Sequence, residues 1–252
     1  MIDELSAKKN QEKLSMLTCY DYSFARILDG LVDIILVGDS LGNVVLGEQS
    51  TRAVMIEDIS RHLRAVRRGA PNTFIVADLP FSASYNKQEA LTRARQLLEM
   101  GADAVKPEGK PELVQQLVHH DIPVMSHLGL LPQTAESFKV VGRRPDEAER
   151  LIEEARDIQK AGAFSLVLEC VPAGLARQIT ADLEIPTIGI GSGPDCDGQV
   201  LVLYDLLGLF PDFQAKFVRQ YLDLKTLVRE AIERYSDDVK NHRFPSDEES
   251  FK

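Results

Sequence analysis

The chain lacks tryptophan and is poor in cysteine, with three, in histidine, with five, and in positive charge, with 29 Lys and Arg against 39 Asp and Glu for a net charge of −10. That balance argues against a nucleic-acid partner, which calls for a basic face. Cys19, Cys170 and Cys196 are too few and too scattered for a disulfide framework. They show no CxxC spacing, which argues against a structural zinc site, and are expected to be reduced, buried thiols. No HxH or HxxxH pair occurs, which disfavours a histidine-rich zinc or iron centre. There is no GxSxG nucleophile elbow and no GK[ST] phosphate loop. No apolar run approaches the roughly 18 residues of a membrane span. Met1 to Leu14 is polar, without the apolar stretch of a secretory signal, so a cytoplasmic location is expected.

What is present is a repeating alternation. Apolar runs at Leu14–Tyr20, Asp33–Val37, Thr73–Ala77, Ala102–Val105, Ile122–Ser126, Phe164–Leu168, Pro186–Ile190 and Gln199–Leu203 read as buried parallel strands. Amphipathic segments between them, Met55–Arg68, Lys87–Met100, Pro111–Val118 and Asp146–Lys160, read as helices. Gly101-Ala102 and Gly162-Ala163 repeat one device, a glycine stop between helix and strand. With 252 residues, 44% hydrophobic and 27% charged, eight such units predict an α/β fold, a (β/α)₈ TIM barrel. The alternative is an open, doubly wound sheet. One domain is expected over residues 1–252, with a polar, loosely held tail from about Ser236 to Lys252.

Position singles out the polar residues. Asp39, Asp78, Lys106, Glu108, His127 and Glu169 each follow a predicted strand, and in a barrel those ends share the face that holds active sites. Asp39 and Asp78, with Glu108, offer hard oxygen ligands suited to Mg²⁺. Read otherwise, each acid caps a helix or forms an ion pair. Lys106 is either an anchor for a substrate anion or a salt-bridge partner of Asp78 or Glu108. His127 is an acid, a donor, a ligand or a satisfied core histidine. Glu169 ends the apolar run Leu166-Val167-Leu168, where desolvation suits a carboxylate to general-base work. Gly189-Ile190-Gly191-Ser192-Gly193 fits close approach to a ligand or a bare turn equally, and Arg61, Arg64, Arg67 and Arg68 read as a solvated helix face.

Several stretches together resemble the ketopantoate hydroxymethyltransferase family. They are Thr18-Cys19-Tyr20-Asp21-Tyr22-Ser23-Phe24-Ala25, Leu36-Val37-Gly38-Asp39-Ser40-Leu41-Gly42, Arg67-Arg68-Gly69-Ala70-Pro71, Ala77-Asp78-Leu79-Pro80-Phe81, His127-Leu128-Gly129-Leu130 with Pro132-Gln133, and Val167-Leu168-Glu169-Cys170-Val171-Pro172. Gly189-Ile190-Gly191 and Asp197-Gly198-Gln199 complete the set, in order along nearly the whole chain. The resemblance implies a barrel of the phosphoenolpyruvate mutase/isocitrate lyase-like group. It implies Mg²⁺ at Asp39, Asp78 and Glu108, a 2-oxo acid held by Asp39, Ser40, Asp78 and Lys106, and Glu169 as proton acceptor. It also implies 5,10-methylenetetrahydrofolate as co-substrate, and a homodecamer of two stacked pentamers. Lys106 and His127 join Glu169 as catalytic candidates. The sequence departs from the family pattern at Pro107, at Lys110, and in a shorter loop over residues 134–143, which is expected to act as a lid. Two other readings stand beside this one: a metal-dependent 2-oxo-acid aldolase or lyase, and a non-catalytic binding barrel.

Overall fold

The computed structural model describes residues 1–84, 86–135, 137, 139–210 and 215–251. They divide into two compact units, Met1–Val202 and Leu203–Lys252. The first holds eight strands: β1 (Leu14–Thr18), β2 (Ile34–Val37), β3 (Phe74–Asp78), β4 (Ala104–Lys106), β5 (Met125–Gly129), β6 (Ser165–Glu169), β7 (Thr187–Ile190) and β8 (Gly198–Leu201). Its helices are α1 (Ile2–Ala7), α2 (Tyr22–Leu28), α3 (Leu41–Val44), α4 (Ile56–Gly69), α5 (Lys87–Glu99), α6 (Pro111–His119), α7 (Pro145–Lys160) and α8 (Ala173–Asp182). The second unit contains α9 (Leu203–Leu206) and α10 (Leu224–Lys240).

The strands pair in parallel in the order β4-β3-β2-β1-β8-β7-β6-β5. A further parallel bridge, Val105 with Val124, joins the two ends, so the sheet forms a nearly closed barrel rather than an open one. Val105 N–H donates to Pro123 O at 3.0 Å, and Gly109 N–H to His127 O at 2.9 Å, across that seam. Here the expected strand moves: β5 begins at Met125 instead of Ile122. Pro123 has no N–H to give a ladder, so pairing there thins to the single bridge.

Side chains alternate along a strand. One alternation fills the barrel interior with Met16, Ile34, Leu36, Phe74, Val76, Ala104, Met125, Val167, Ile188 and Val200. Leu5, buried, and Ile2 of α1 pack onto this cluster. Two residues beyond Val76, Ala104, Met125 and Val167 stand Asp78, Lys106, His127 and Glu169. Period two therefore stacks the polar candidates directly on the apolar layer, at the C-terminal mouth. The opposite faces of β2, β3 and β4 are also buried, which explains their unbroken apolar runs, whereas β1 and β8 each turn one exposed residue outward, Ser15 and Gln199. No helix among the described residues is long and apolar enough to cross a membrane.

Candidate active site

The structure brings Asp39, Asp78, Lys106, Glu108 and His127 together, each at most 7% exposed, with Glu169 beside them. Asp78, Lys106 and Glu169 are the last residues of β3, β4 and β6, and Asp39 follows β2 by two. His127 lies deeper than expected, at the middle of β5, because that strand runs on to Gly129. Gly129 can end it there: its φ is +96°, and a Cβ would collide with the Glu169 carbonyl oxygen.

The acids do not cap helices. Asp78 accepts the Asp39 backbone N–H at 2.9 Å through Oδ2, and its Oδ1 lies 2.8 Å from Lys106 Nζ. Gly38 permits the close turn, since a Cβ there would meet Ser40 Oγ at 3.0 Å and Asp78 Oδ2 at 3.4 Å. Ser40 Oγ is 2.9 Å from Tyr20 Oη, which fixes it at the edge of the cluster. His127 Nε2 lies 3.2 Å from Glu169 Oε2, and Nδ1 lies 3.8 Å from Glu108 Oε1. Neither ring nitrogen makes a hydrogen bond among the described residues.

A further participant, Gln133, is one that charge and strand position do not single out. It donates its side-chain amide to Asp39 Oδ2 at 2.7 Å and to Leu79 O at 3.1 Å. Its backbone N–H reaches the two Glu108 oxygens at 3.3 and 3.2 Å, and its carbonyl accepts Arg52 Nε–H at 2.6 Å. The Pro132-Gln133 pair in the motif is the only sequence signal for it.

Burial, then the Asp78 charge, pushes Asp39 up to about 7. Burial, then Asp39, pushes Glu108 up to about 9. For Lys106 burial works downward, but Asp78, Asp39 and Glu108 outweigh it and hold the ammonium above its usual range. Burial, then Lys106, lowers His127, which favours the neutral ring. Ionising all three carboxylates would thus place more negative charge here than Lys106 balances, and the crowding holds protons on Asp39 and Glu108. A divalent cation fits that excess. Among the described residues no three His, Cys, Asp or Glu groups form a ready-made cage.

Of the glycine-rich segment, Gly189 and Ile190 end β7 and Gly191 and Ser192 form the bend after it. Ser192, fully buried, accepts Val171 N–H at 3.1 Å and donates to Leu168 O at 2.7 Å, bracing β6 behind Glu169. Glu136 and Phe138 of the expected lid lie outside the described residues. Pro107 is accommodated, since Lys106 before it closes a strand and is already extended. The three cysteines are free and buried.

Residues 1–247 match the family model described as ketopantoate hydroxymethyltransferase. The chain belongs to this family. It is 52% identical to the 3-methyl-2-oxobutanoate hydroxymethyltransferase of Heliobacterium modesticaldum over 97% of this chain and 92% of that one. The ketopantoate hydroxymethyltransferase family consists of transferases of pantothenate biosynthesis, and the chain is accordingly an enzyme. Solved structures agree on the fold. Phosphonopyruvate hydrolase in complex with oxalate and Mg²⁺ superposes with a TM-score of 0.67 at 10% identity, covering 98% of this chain and 92% of that one. A 2,3-dimethylmalate lyase of the PEP mutase/isocitrate lyase superfamily gives 0.62 at 16% identity, covering 99% and 91%.

Proposed function

We propose that the chain takes 3-methyl-2-oxobutanoate, removes a proton from C3, and joins that carbon to a one-carbon unit from 5,10-methylenetetrahydrofolate, giving ketopantoate. The observation that carries the reading is the buried Asp39–Asp78–Lys106 cluster facing the Glu169–His127 pair across one barrel mouth. Asp39 and Asp78, with Glu108 contributing, would hold Mg²⁺. When bound, such an ion draws charge from the ketone and acidifies the neighbouring C–H.

The rest falls to the chain's own groups. Lys106, kept protonated by its acidic neighbours, faces the negative charge of the oxo acid. Ser40 Oγ, held by Tyr20, and the Asp39 backbone orient the substrate carboxylate. Glu169 accepts the C3 proton. His127, whose Nε2 lies 3.2 Å from Glu169 Oε2, is placed to take up that proton from it. The C3 carbon then forms a bond to the donor methylene as the first of its two carbon–nitrogen bonds breaks, water replaces the second nitrogen to give the hydroxymethyl group, and the two nitrogens take up the C3 proton and the proton from water, releasing tetrahydrofolate.

We further propose a cytoplasmic enzyme assembled as a homodecamer, a reading supported by the family resemblance. The test of the chemistry is Glu169→Gln. C3 exchange should slow by at least ~10²-fold, the usual reach of a general base, while calorimetric affinity for the oxo acid with Mg²⁺ stays unchanged. Exchange at the wild-type rate would assign the base elsewhere.

A further inference from the structure

Arg52 lies outside the buried cluster, yet its side chain reaches the residue that ties two of the carboxylates together. It sits in a single 3₁₀ turn, Thr51–Ala53, where Ser50 Oγ accepts the Arg52 N–H at 3.2 Å. The segment rests against α3, the helix that directly follows Asp39 and Ser40. A Cβ on Gly42 would lie 2.6 Å from Val54 Cγ2, so glycine is what lets the two approach. From there the side chain spans 81 positions of sequence to Gln133, whose carbonyl accepts the Nε–H at 2.6 Å. The guanidinium carbon lies 5.4 Å from the centroid of the Phe81 ring, within the reach of a cation–π contact.

We infer that Arg52 is a positioning residue: it fixes the backbone of Gln133 and, through it, the carboxylates of Asp39 and Glu108. The consequence for Mg²⁺ rests on the function proposed above. Gln133 is 2% exposed and turns its polar groups to the site, its side-chain amide to Asp39 and its backbone N–H to Glu108. Both contacts depend on where the backbone of residue 133 lies, and no strand ladder sets that place. The turn is closed on itself, since Thr134 and Ala135 N–H both donate to Leu131 O, at 3.0 and 2.8 Å. Arg52 ties its backbone to the β2 side of the mouth. An ionised donor makes a hydrogen bond roughly twice as strong as a neutral one, and the planar fork stacked on Phe81 is already oriented to give it. A plain rim charge would act with the opposite sign. A guanidinium near the cluster repels a cation, so its loss would tighten Mg²⁺ binding, and only slightly, because Arg52 is exposed and screened by salt.

The test is a pair of variants in the full chain. Arg52→Leu removes the donor, whereas Arg52→Gln removes the charge but places an amide N–H where Nε–H stands along the side chain. By calorimetry Arg52→Leu should bind Mg²⁺ about 10-fold more weakly, the lower end of what groups orienting metal-binding carboxylates contribute, and Arg52→Gln should stay within about twofold of wild type. In the ion-free protein the Gln133 amide, which donates to Glu108, should exchange into D₂O at least ~10-fold faster in Arg52→Leu than in the other two, because local opening becomes easier. Unchanged or tighter Mg²⁺ binding by Arg52→Leu would overturn the inference and leave Arg52 a surface charge. Equal loss in both variants would also overturn it, by tying the effect to the charge or to the stack on Phe81 instead of the hydrogen bond. Wild-type protein that binds no Mg²⁺ would contradict the function proposed above. Amide exchange then decides alone, and equal rates in wild type and Arg52→Leu would overturn the inference.

Discussion

Asp39 and Glu108 are tied to one another through a single residue, Gln133, whose amide holds Asp39 Oδ2 at 2.7 Å and whose backbone N–H faces Glu108. Groups that orient metal-binding carboxylates commonly contribute 10- to 100-fold to affinity. Gln133→Ala should therefore weaken Mg²⁺ binding by at least ~10-fold by calorimetry, with the far-ultraviolet dichroism unchanged. Equal affinity would make Gln133 a packing residue. Asp78→Ala should abolish Mg²⁺-dependent binding of the oxo acid, and retained binding would remove Asp78 from the metal site. Charge crowding gives a further prediction with a definite sign. Glu108 is raised from 4.5 to about 9 in the ion-free protein, so the folded state keeps a proton that the unfolded chain releases. Its stabilising contribution is present below the unfolded pKa and is lost as pH rises through the folded one. The melting temperature of chelator-treated wild type should thus fall between pH 5 and 9 relative to Glu108→Gln, and Mg²⁺ should remove the difference. A relative rise would contradict the crowded-carboxylate picture. The ionisable members of the site are legible in the sequence because each closely follows an apolar run. Gln133 is not, since an uncharged residue in a loop breaks no pattern and its role exists only when distant strands meet.

At the scale of elements, β1 to β4 and β6 to β8 lie close to where their apolar runs place them, as do α4 to α7. Fully buried parallel strands write themselves as continuous hydrophobic segments. β5 is displaced because apolarity continues through Ile122-Pro123-Val124, whereas pairing obeys the missing N–H of proline. The short α1 leaves little trace in the sequence: six residues carry too little periodicity, and its purpose is tertiary. Leu5 packs against the barrel interior, and just beyond the helix Lys9 donates to Asp197 Oδ2 at 2.7 Å and to Thr180 O at 2.9 Å. Asp197 in turn accepts Thr187 N–H at 2.9 Å. Lys9 and Asp197 are nearly inaccessible, at 8% and 4%. Breaking a buried pair from one side leaves an uncompensated charge, so Lys9→Ala should cost about 3 kcal/mol in urea denaturation. A loss within ~0.5 kcal/mol would show that the segment only rests on the barrel. Arg67 departs from its expected place on a solvated helix face. Its guanidinium bonds Gly101 O at 2.7 Å and Thr73 O at 3.2 Å and pairs with Asp103, pinning α4 to the loops before β3 and β4. Helical spacing alone does not distinguish it from its solvated neighbours, because its partners come from other elements.

Across the molecule, the barrel converts sequence distance into proximity. Asp39 and Glu169 lie 130 positions apart, yet Asp39 senses the Glu169 charge. The (β/α)₈ class is legible from eight runs, but the closing of the ring is not, because it depends on the Val105–Val124 bridge and not on any residue type. In the second unit, no residue of α10 is buried, and Leu227, Ile232 and Tyr235 are more than 40% exposed. The decameric assembly proposed above predicts a ten-chain mass by light scattering, and a stable monomer would contradict it. The chemistry itself is tested most directly by proton NMR of 3-methyl-2-oxobutanoate with the enzyme and Mg²⁺ in D₂O, followed by methylenetetrahydrofolate. The account predicts loss of the C3 proton signal and then growth of a hydroxymethyl resonance. A C3 signal that persists after the donor is added would contradict it.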